Sequence, residues 1–185
     1  MSESNQEMQN QTDELEDMSA FLRVRREKLA ELKANGKDPF EITSYPVDSY
    51  AKDINEQFDE YEGRIVSIAG RIMSKRGMGK AGFIDIMDNT GRVQSYVRKD
   101  HVGDESYAEF KKYDIGDIIG VKGEVFRTQK GQISVKAEQV TLLTKSLLPL
   151  PEKLHGLKNT DTRYRQRYVD LIVNPDVKET FVKRS

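Results

Sequence analysis

The chain has 185 residues, 36% of them hydrophobic, with 30 Lys plus Arg against 31 Asp plus Glu for a net charge of −1, which allows one domain with appendages or two small ones. It has no cysteine, so disulfides and thiolate metal sites are excluded and a reducing compartment fits. No run is long enough to span a bilayer, and the N-terminus, MSESNQEMQNQTDE, has neither a basic n-region nor an apolar h-region, so the expectation is a soluble cytoplasmic protein with no membrane partner.

Residues 1–17 are polar and acidic without apolar periodicity and are expected to form a disordered tail. Residues 1–20 hold six acids, Glu3, Glu7, Asp13, Glu14, Glu16 and Asp17, and no Lys or Arg. The remainder holds 30 basic and 25 acidic residues, a net of +5 that fits contact with nucleic acid. An N-terminal helical extension is predicted over 18–62. From Asp17 to Ala34, Met18, Leu22, Leu29 and Leu32 fall on one helical stripe, with Phe21 and Arg25 beside it. Asn35-Gly36 supplies a left-handed cap and Pro39 blocks continuation. The other face carries Arg23, Arg26, Lys28, Lys33 and Lys37. That helix either packs on the domain as a solvated amphipathic element, or it lays Arg23, Arg26 and Lys33 along a phosphate strand. A second, short helix is expected near Asp48–Phe58, capped by Asp48 or Ser49.

Three strands follow within residues 63–98. In the first, Val66, Ile68, Gly70 and Ile72 alternate with Ser67, Ala69, Arg71 and Met73. A glycine-containing loop, Arg76-Gly77-Met78-Gly79-Lys80, leads to the second, where inward Ile84 and Ile86 force Phe83 and Asp85 outward. Asn89-Thr90-Gly91 turns the chain, and in the third strand inward Val93 and Val97 leave Gln94, Tyr96 and Arg98 outside. A short helix is expected over 103–113. A fourth strand runs from Asp117 to Arg127 with Ile119, Val121 and Val125 inward. Gln129-Lys130-Gly131 turns into a fifth, where Ile133, Val135 and Ala137 point in and Gln132, Ser134 and Lys136 point out. Three strands, a helix and two strands make a mainly β fold with flanking helices: a five-stranded OB-fold barrel over 63–145, whose second and third strands form the usual ligand face.

Beyond it, 146–160 reads as a linker broken by Pro149, Pro151 and Gly156. Residues 161–173 read as one helix capped by Asp161, with Tyr164, Tyr168 and Leu171 on one stripe and Arg163 and Arg167 on another. A further helix begins near Asp176.

The two faces of the first three strands have different jobs. One is aliphatic; the other is basic and aromatic, as a platform for single-stranded nucleic acid is. Phe83 is either covered by its own chain or open to stack on a base. Gln94 is either an ordinary exposed polar residue or an amide that reads a base edge. Arg76 and Lys80 sit either in a solvated hairpin loop or at a phosphate or base contact, and Arg71 adds a possible phosphate contact. No catalytic constellation stands out. His101 and His155 have no partners at a recognised spacing, and Gly77-Met78-Gly79-Lys80 is too short for a P-loop.

The segment LLPLPEKLHGLKNTDTRYRQRYVDLI (147–172) resembles the link between the anticodon-binding barrel and the catalytic domain of bacterial-type class II lysyl-tRNA synthetases. The stretch GRIMSKRGMGKAGFIDIMDNTGRVQSYV resembles the first three barrel strands of the same family. The resemblance covers about Leu22 to Ser185. It implies that the barrel binds the uridine-rich anticodon of lysine tRNA. Phe83 looks like the ring that stacks on an anticodon base, Gln94 like the reader of the central uridine, and Arg76 like a basic contact from the hairpin. Gln132 stands where the family usually has Glu, which affects the reading of one base because an amide donates as well as accepts. FVKRS (181–185) looks like the opening of the first class II motif, which builds the family's dimer interface, so 161–185 reads as the truncated start of a catalytic domain. The motifs that bind ATP and activate lysine would lie beyond Ser185. The expectation is therefore an N-terminal fragment that binds tRNA without making lysyl-adenylate. It needs no cofactor itself, while the full-length family uses ATP and Mg2+ and forms a homodimer. From the residues alone, the competing reading is a stand-alone OB module that binds single strands, or a protein, without reading bases.

Overall fold

The computed structural model describes residues 20–150 and 160–185; the expected acidic tail and most of the expected linker lie outside them. The chain divides into two units, one ending at Leu148 and one beginning at Pro149. In the first, helix α1 (20–34) is followed by a 3-10 turn (Pro39–Glu41), α2 (Ala51–Glu56), α3 (Phe58–Tyr61), β1 (Ile65–Met78), β2 (Ala81–Met87), β3 (Arg92–Arg98), α4 (Lys99–Val102), α5 (Asp104–Lys112), β4 (Ile118–Arg127) and β5 (Ile133–Thr144). The strands close in the order β1-β2-β3-β5-β4, antiparallel except for β3 against β5. This is the five-stranded OB-fold barrel that the strand pattern predicts.

Alternation builds the core. Val66, Ile68, Ile72, Ile84, Ile86, Val93, Val97, Ile119, Val121, Val125, Val135 and Ala137 are all buried. These are mostly β-branched side chains, which suit a pleated surface. The alternation breaks at one place. A register shift between Ile72 and Ser74 buries both Ile72 and Met73 and reverses the parity of the rest of β1. Lys75 then falls on the inner side. Its Nζ donates to the carbonyls of Phe110 (2.7 Å), Lys111 (3.0 Å) and Tyr113 (2.8 Å) at the C-terminal end of α5. Burial draws its ammonium down to about 8.

The α5–β4 loop is fastened by charge. Lys145, just past β5, has 1% of its side chain exposed and Asp117 none. The Lys145 ammonium donates to both Asp117 carboxylate oxygens (2.9 and 2.8 Å) and to Asp114 (2.5 Å). The Asp117 carboxylate also accepts from the amides of Asp114 and Ser146, each at 2.8 Å. Its backbone carbonyl accepts from Ile72 N–H at 2.8 Å. No buried side-chain polar atom among the described residues lacks a partner.

Helix α1 docks on this same loop, which corrects part of its expected polarity. Lys28 is not on the open basic face: it pairs with Asp114 at 2.7 Å. Arg25 donates to the carbonyls of Ser146 (2.9 Å) and Ile115 (3.1 Å). Lys37 grips Glu105 and Glu109 on α5. The helix is fixed by long side chains reaching carboxylates and carbonyls, with Leu32 as the apolar contact to the core.

The expected cap of the second helix is also corrected. The helix begins at Ala51, and neither Asp48 nor Ser49 caps it. Its first amides are met from across the barrel: Ala51 N–H donates to Asp88 Oδ2 (2.7 Å) and Lys52 N–H to Thr90 Oγ1 (3.1 Å). Asp48 is occupied by the amide of Ser67 at 2.8 Å. Asp88 holds its own turn as well, through Thr90 and Gly91 N–H. Burial opposes ionisation of Asp88, but those amides and the Thr90 hydroxyl outweigh it and hold the carboxyl below its usual range.

In the second unit the single helix expected over 161–173 is two, α6 (Thr160–Arg165) and α7 (Arg167–Val173), broken at Gln166, and α8 (Pro175–Arg184) follows. The buried carboxylate of Asp170 spans the break. It accepts from Arg163 (3.1 Å), Arg167 (2.5 Å) and Asn174 (2.6 Å). Tyr164 and Tyr168, expected on one stripe with Leu171, are exposed. Among the described residues no helix is long and apolar enough to cross a membrane.

Two outcomes follow for stability. Lys145→Met leaves the Asp117 carboxylate buried without its cation and should cost about 3–5 kcal/mol, read as a lower urea midpoint at unchanged slope. Asp88 and Asp114 both have carboxyls held low when folded. Their stabilisation is present above the unfolded carboxylate value of about 3.9 and is lost as pH falls through the lower folded values. Asp88→Asn should therefore flatten the fall of the urea midpoint below pH 4.

Candidate nucleic-acid interface

Much of the outer barrel wall is closed by the chain itself. The segment before α2 crosses β1 and β4, and the Tyr45 ring lies flat on Gly120, where an added Cβ would sit 2.3 Å from the ring. Asp48 N–H donates to Ser67 O (3.0 Å) and Ser67 Oγ to Pro46 O (2.5 Å). This leaves the outer sides of β2, β3 and β5, and the end of β4 at Phe126, outside that cover.

The strand registers arrange that wall in two cross-strand rows. One runs Arg76–Phe83–Tyr96–Lys136–Glu124 and the other Ser74–Asp85–Gln94–Ser134–Phe126. In the first row the rings of Phe83 and Tyr96 are 4.8 Å apart and tilted by 32°. Lys136 pairs with Glu124 at 2.5 Å. Arg76 is exposed at the end of the row. It gets there because of the bulge: strict alternation from Ile72 would turn it inward.

In the second row Ser74 donates to the Asp85 carboxylate. Gln94 is 5% exposed, so it is not an ordinary exposed polar residue. Its Nε2 donates to Gln132 Oε1 (3.2 Å) and its Oε1 accepts from Ser134 Oγ (3.0 Å). A primary amide has two N–H groups and two lone pairs. One of each is taken, and one of each remains without a partner among the described residues. Gln132, exposed just before β5, accepts the bond from Gln94 Nε2. The Tyr96 ring also approaches that of Phe126 at 6.3 Å.

The hairpin expected as a loop from Arg76 is strand as far as Met78, and only Gly79-Lys80 turns, with Gly79 at φ +60. Helix α5 holds it from inside: Tyr107 Oη donates to Gly79 O at 3.1 Å, and Lys75 reaches the far end of the same helix. Lys80 is exposed on the turn.

The remaining cations divide by what they touch. Arg71 donates to Gly116 O at 2.7 Å, and burial lowers its pKa despite nearby Asp117. Lys33 pairs with Asp38 at 3.1 Å and Arg23 with Glu27 at 3.8 Å. Arg26 is exposed. The wall thus brings Arg76, Phe83, Gln94 and Gln132 together, with Lys80 at the adjoining turn, while Arg71 and Lys33 are engaged elsewhere. Sequence reasoning did not single out Phe126 or the linking role of Ser134. Inward Val121 and Val125 give Phe126 its outward parity, but its approach to Tyr96 depends on which strands pair. Among the described residues no group of three His, Asp or Glu is placed to hold a metal.

Residues 66–143 match the family described as OB-fold nucleic acid binding domain. The chain is 58% identical over 168 residues to a lysine–tRNA ligase of Syntrophomonas wolfei subsp. wolfei, covering 91% of this chain and 34% of that protein. It is 51% identical over 185 residues to the lysine–tRNA ligase of a Thermoanaerobacter species (strain X514), covering 100% of this chain and 36% of that protein. With the lysine–tRNA ligase of Pelotomaculum thermopropionicum it shares 58% identity over 174 residues, 92% of this chain and 33% of that protein. The chain thus spans about a third of the length of the curated relatives it matches.

Ser134 is fully buried, and its hydroxyl is what fixes the Gln94 carbonyl oxygen. Ser134→Ala should lower stability by about 0.5–1.5 kcal/mol in urea unfolding. Gln132→Ala, at an exposed site, should stay within about 0.5 kcal/mol of the parent.

Proposed function

We infer that this chain, which belongs to the lysine–tRNA ligase family by its match to the N-terminal third of those enzymes, is the module that holds the anticodon of lysine tRNA. One observation carries the reading: the open strip of the barrel wall sets an aromatic pair directly beside a half-satisfied amide. Unstacked bases need both features, a π-face to lie on and a donor–acceptor pair for their edges. Phe83 supplies the face. Gln94 supplies one N–H and one lone pair, which match the O4 acceptor and N3–H donor of uracil. A uridine reaching Gln94 exchanges places with Gln132, whose own amide can then follow the base edge. Arg76 and Lys80 take phosphates at the hairpin end of the strip. Arg23 and Arg26 offer a second, weaker electrostatic contact, while Lys33 and Arg71 serve their own fold first.

The activity of the whole enzyme is part of the same proposal: activation of lysine with ATP and Mg2+, transfer to the tRNA for protein synthesis in the cytoplasm, and action as a homodimer. This chain's part in that proposal is tRNA binding, and no step of the activation chemistry is assigned to it. The alternative, a sequence-indifferent single-strand binder, uses the rings but leaves the Gln94–Gln132–Ser134 network without a purpose.

The test is titration of the chain with a lysine tRNA anticodon stem-loop and with one whose central uridine is replaced by adenosine. The reading predicts weaker binding to the second, and Phe83→Ala should weaken binding to the first by about 1–3 kcal/mol. Equal affinity for the two stem-loops would overturn base reading and leave the generic binder.

A further inference from the structure

The aromatic strip is longer than one base needs. Phe126 lies on β4, with β5 between it and Tyr96. Strands two apart in a sheet are about 10 Å apart, yet these two rings come within 6.3 Å of each other. They meet diagonally across β5, where Ser134, the partner of Phe126, is small and fully buried, and Lys136 is the partner of Tyr96. Phe83, Tyr96 and Phe126 therefore form a continuous run of rings across four strands. Phe126 is half-buried and is not part of the buried core cluster. The flap around Tyr45 that covers β1 and β4 meets β4 at Gly120, six residues before Phe126. Phe126 is tilted by 55° to Tyr96 rather than stacked on it, so its ring plane points in a different direction from that of the Phe83–Tyr96 pair. Gln94 and Ser134 share its cross-strand row.

We propose that Phe126 is a second stacking surface, so that the interface holds two neighbouring bases, one over Phe83 and Tyr96 and the next against Phe126, with the buried amide between them. The inference rests on the anticodon-binding reading and adds to it the number and order of bases held. Proteins that bind single strands commonly stack successive bases on successive rings. Here the pairing of β4 with β5 supplies the second ring.

The experiment is a set of double-mutant cycles on the 185-residue chain. Phe83→Leu and Phe126→Leu keep apolar bulk and remove the ring face, and Phe126→Tyr restores it. Each variant is titrated with the lysine tRNA anticodon stem-loop and with three versions in which one anticodon nucleotide is abasic. Unfolding midpoints close to the parent's establish that each variant is folded. Phe126→Leu is expected to weaken binding of the intact stem-loop roughly fivefold to a hundredfold, with Phe126→Tyr recovering most of the loss. Its loss should vanish against one abasic position, and the loss from Phe83→Leu against a different, adjacent one. If Phe126→Leu binds like the parent while Phe83→Leu is impaired, the second surface is wrong and the anticodon reading stands. If both variants couple to the same abasic position, the rings form one surface and the proposal again fails. If neither variant changes binding, base stacking on this wall fails altogether, and the anticodon-binding reading fails with it.

Discussion

Lys145 and Asp117 are both sequestered from water, and their contact is a joint between several elements of the barrel. The ammonium joins the end of β5 to the loop that opens β4. The Asp117 backbone joins that loop to the middle of β1, beside the residue where the bulge begins. Asp114, held by the same ammonium, anchors α1 through Lys28. A buried ion pair is not strongly stabilising in itself, because desolvation cancels much of its Coulombic gain; removing one partner is what costs. Its value here is geometric. It sets where three strands, a helix and a loop meet, a joint that apolar packing alone would leave able to slide.

From that joint the functional wall follows. With β1 fixed at Ile72, the bulge at Met73 turns the remainder of the strand over, so Arg76 faces out beside Phe83 and Lys75 faces in against α5. Tyr107 and Lys75 then hold the hairpin from beneath. On the other side, Tyr45 on Gly120 covers the outer surface of β1 and the first part of β4. The strip that remains is rich in rings. Rings and an amide held in place before a ligand arrives lose little conformational entropy on binding.

The barrel was legible in the sequence because its signal is periodic. Alternating Val and Ile fixed five strands and their inner faces, and parity alone placed Phe83, Gln94, Tyr96, Ser134 and Lys136 outward. What remained hidden depends on contacts distant in sequence. A one-residue bulge leaves no pattern in a strand whose residues 72 and 73 are both hydrophobic, so the outward turn of Arg76 had no periodic support. The cap of α2 comes from Asp88 and Thr90, 37 and 38 residues further along, which no local capping rule can find. Lys28, Lys33 and Arg71 look like free cations until their partners, Asp114, Asp38 and Gly116 O, are brought to them by the fold. The segment 147–172 and the first three strands carried the resemblance to the family, and the comparisons bear that out.

The central claim is that the outer wall of β2, β3 and β5 is the surface that receives the anticodon. Amide chemical-shift mapping of the isotope-labelled chain against a lysine tRNA anticodon stem-loop tests it most directly. The account predicts that the largest shifts cluster at Phe83, Gln94, Tyr96, Gln132 and Ser134, with the amides around Tyr45 and Gly120 on the covered wall unmoved. Shifts confined to α1 or to the covered wall, with the Gln94 region silent, would contradict it.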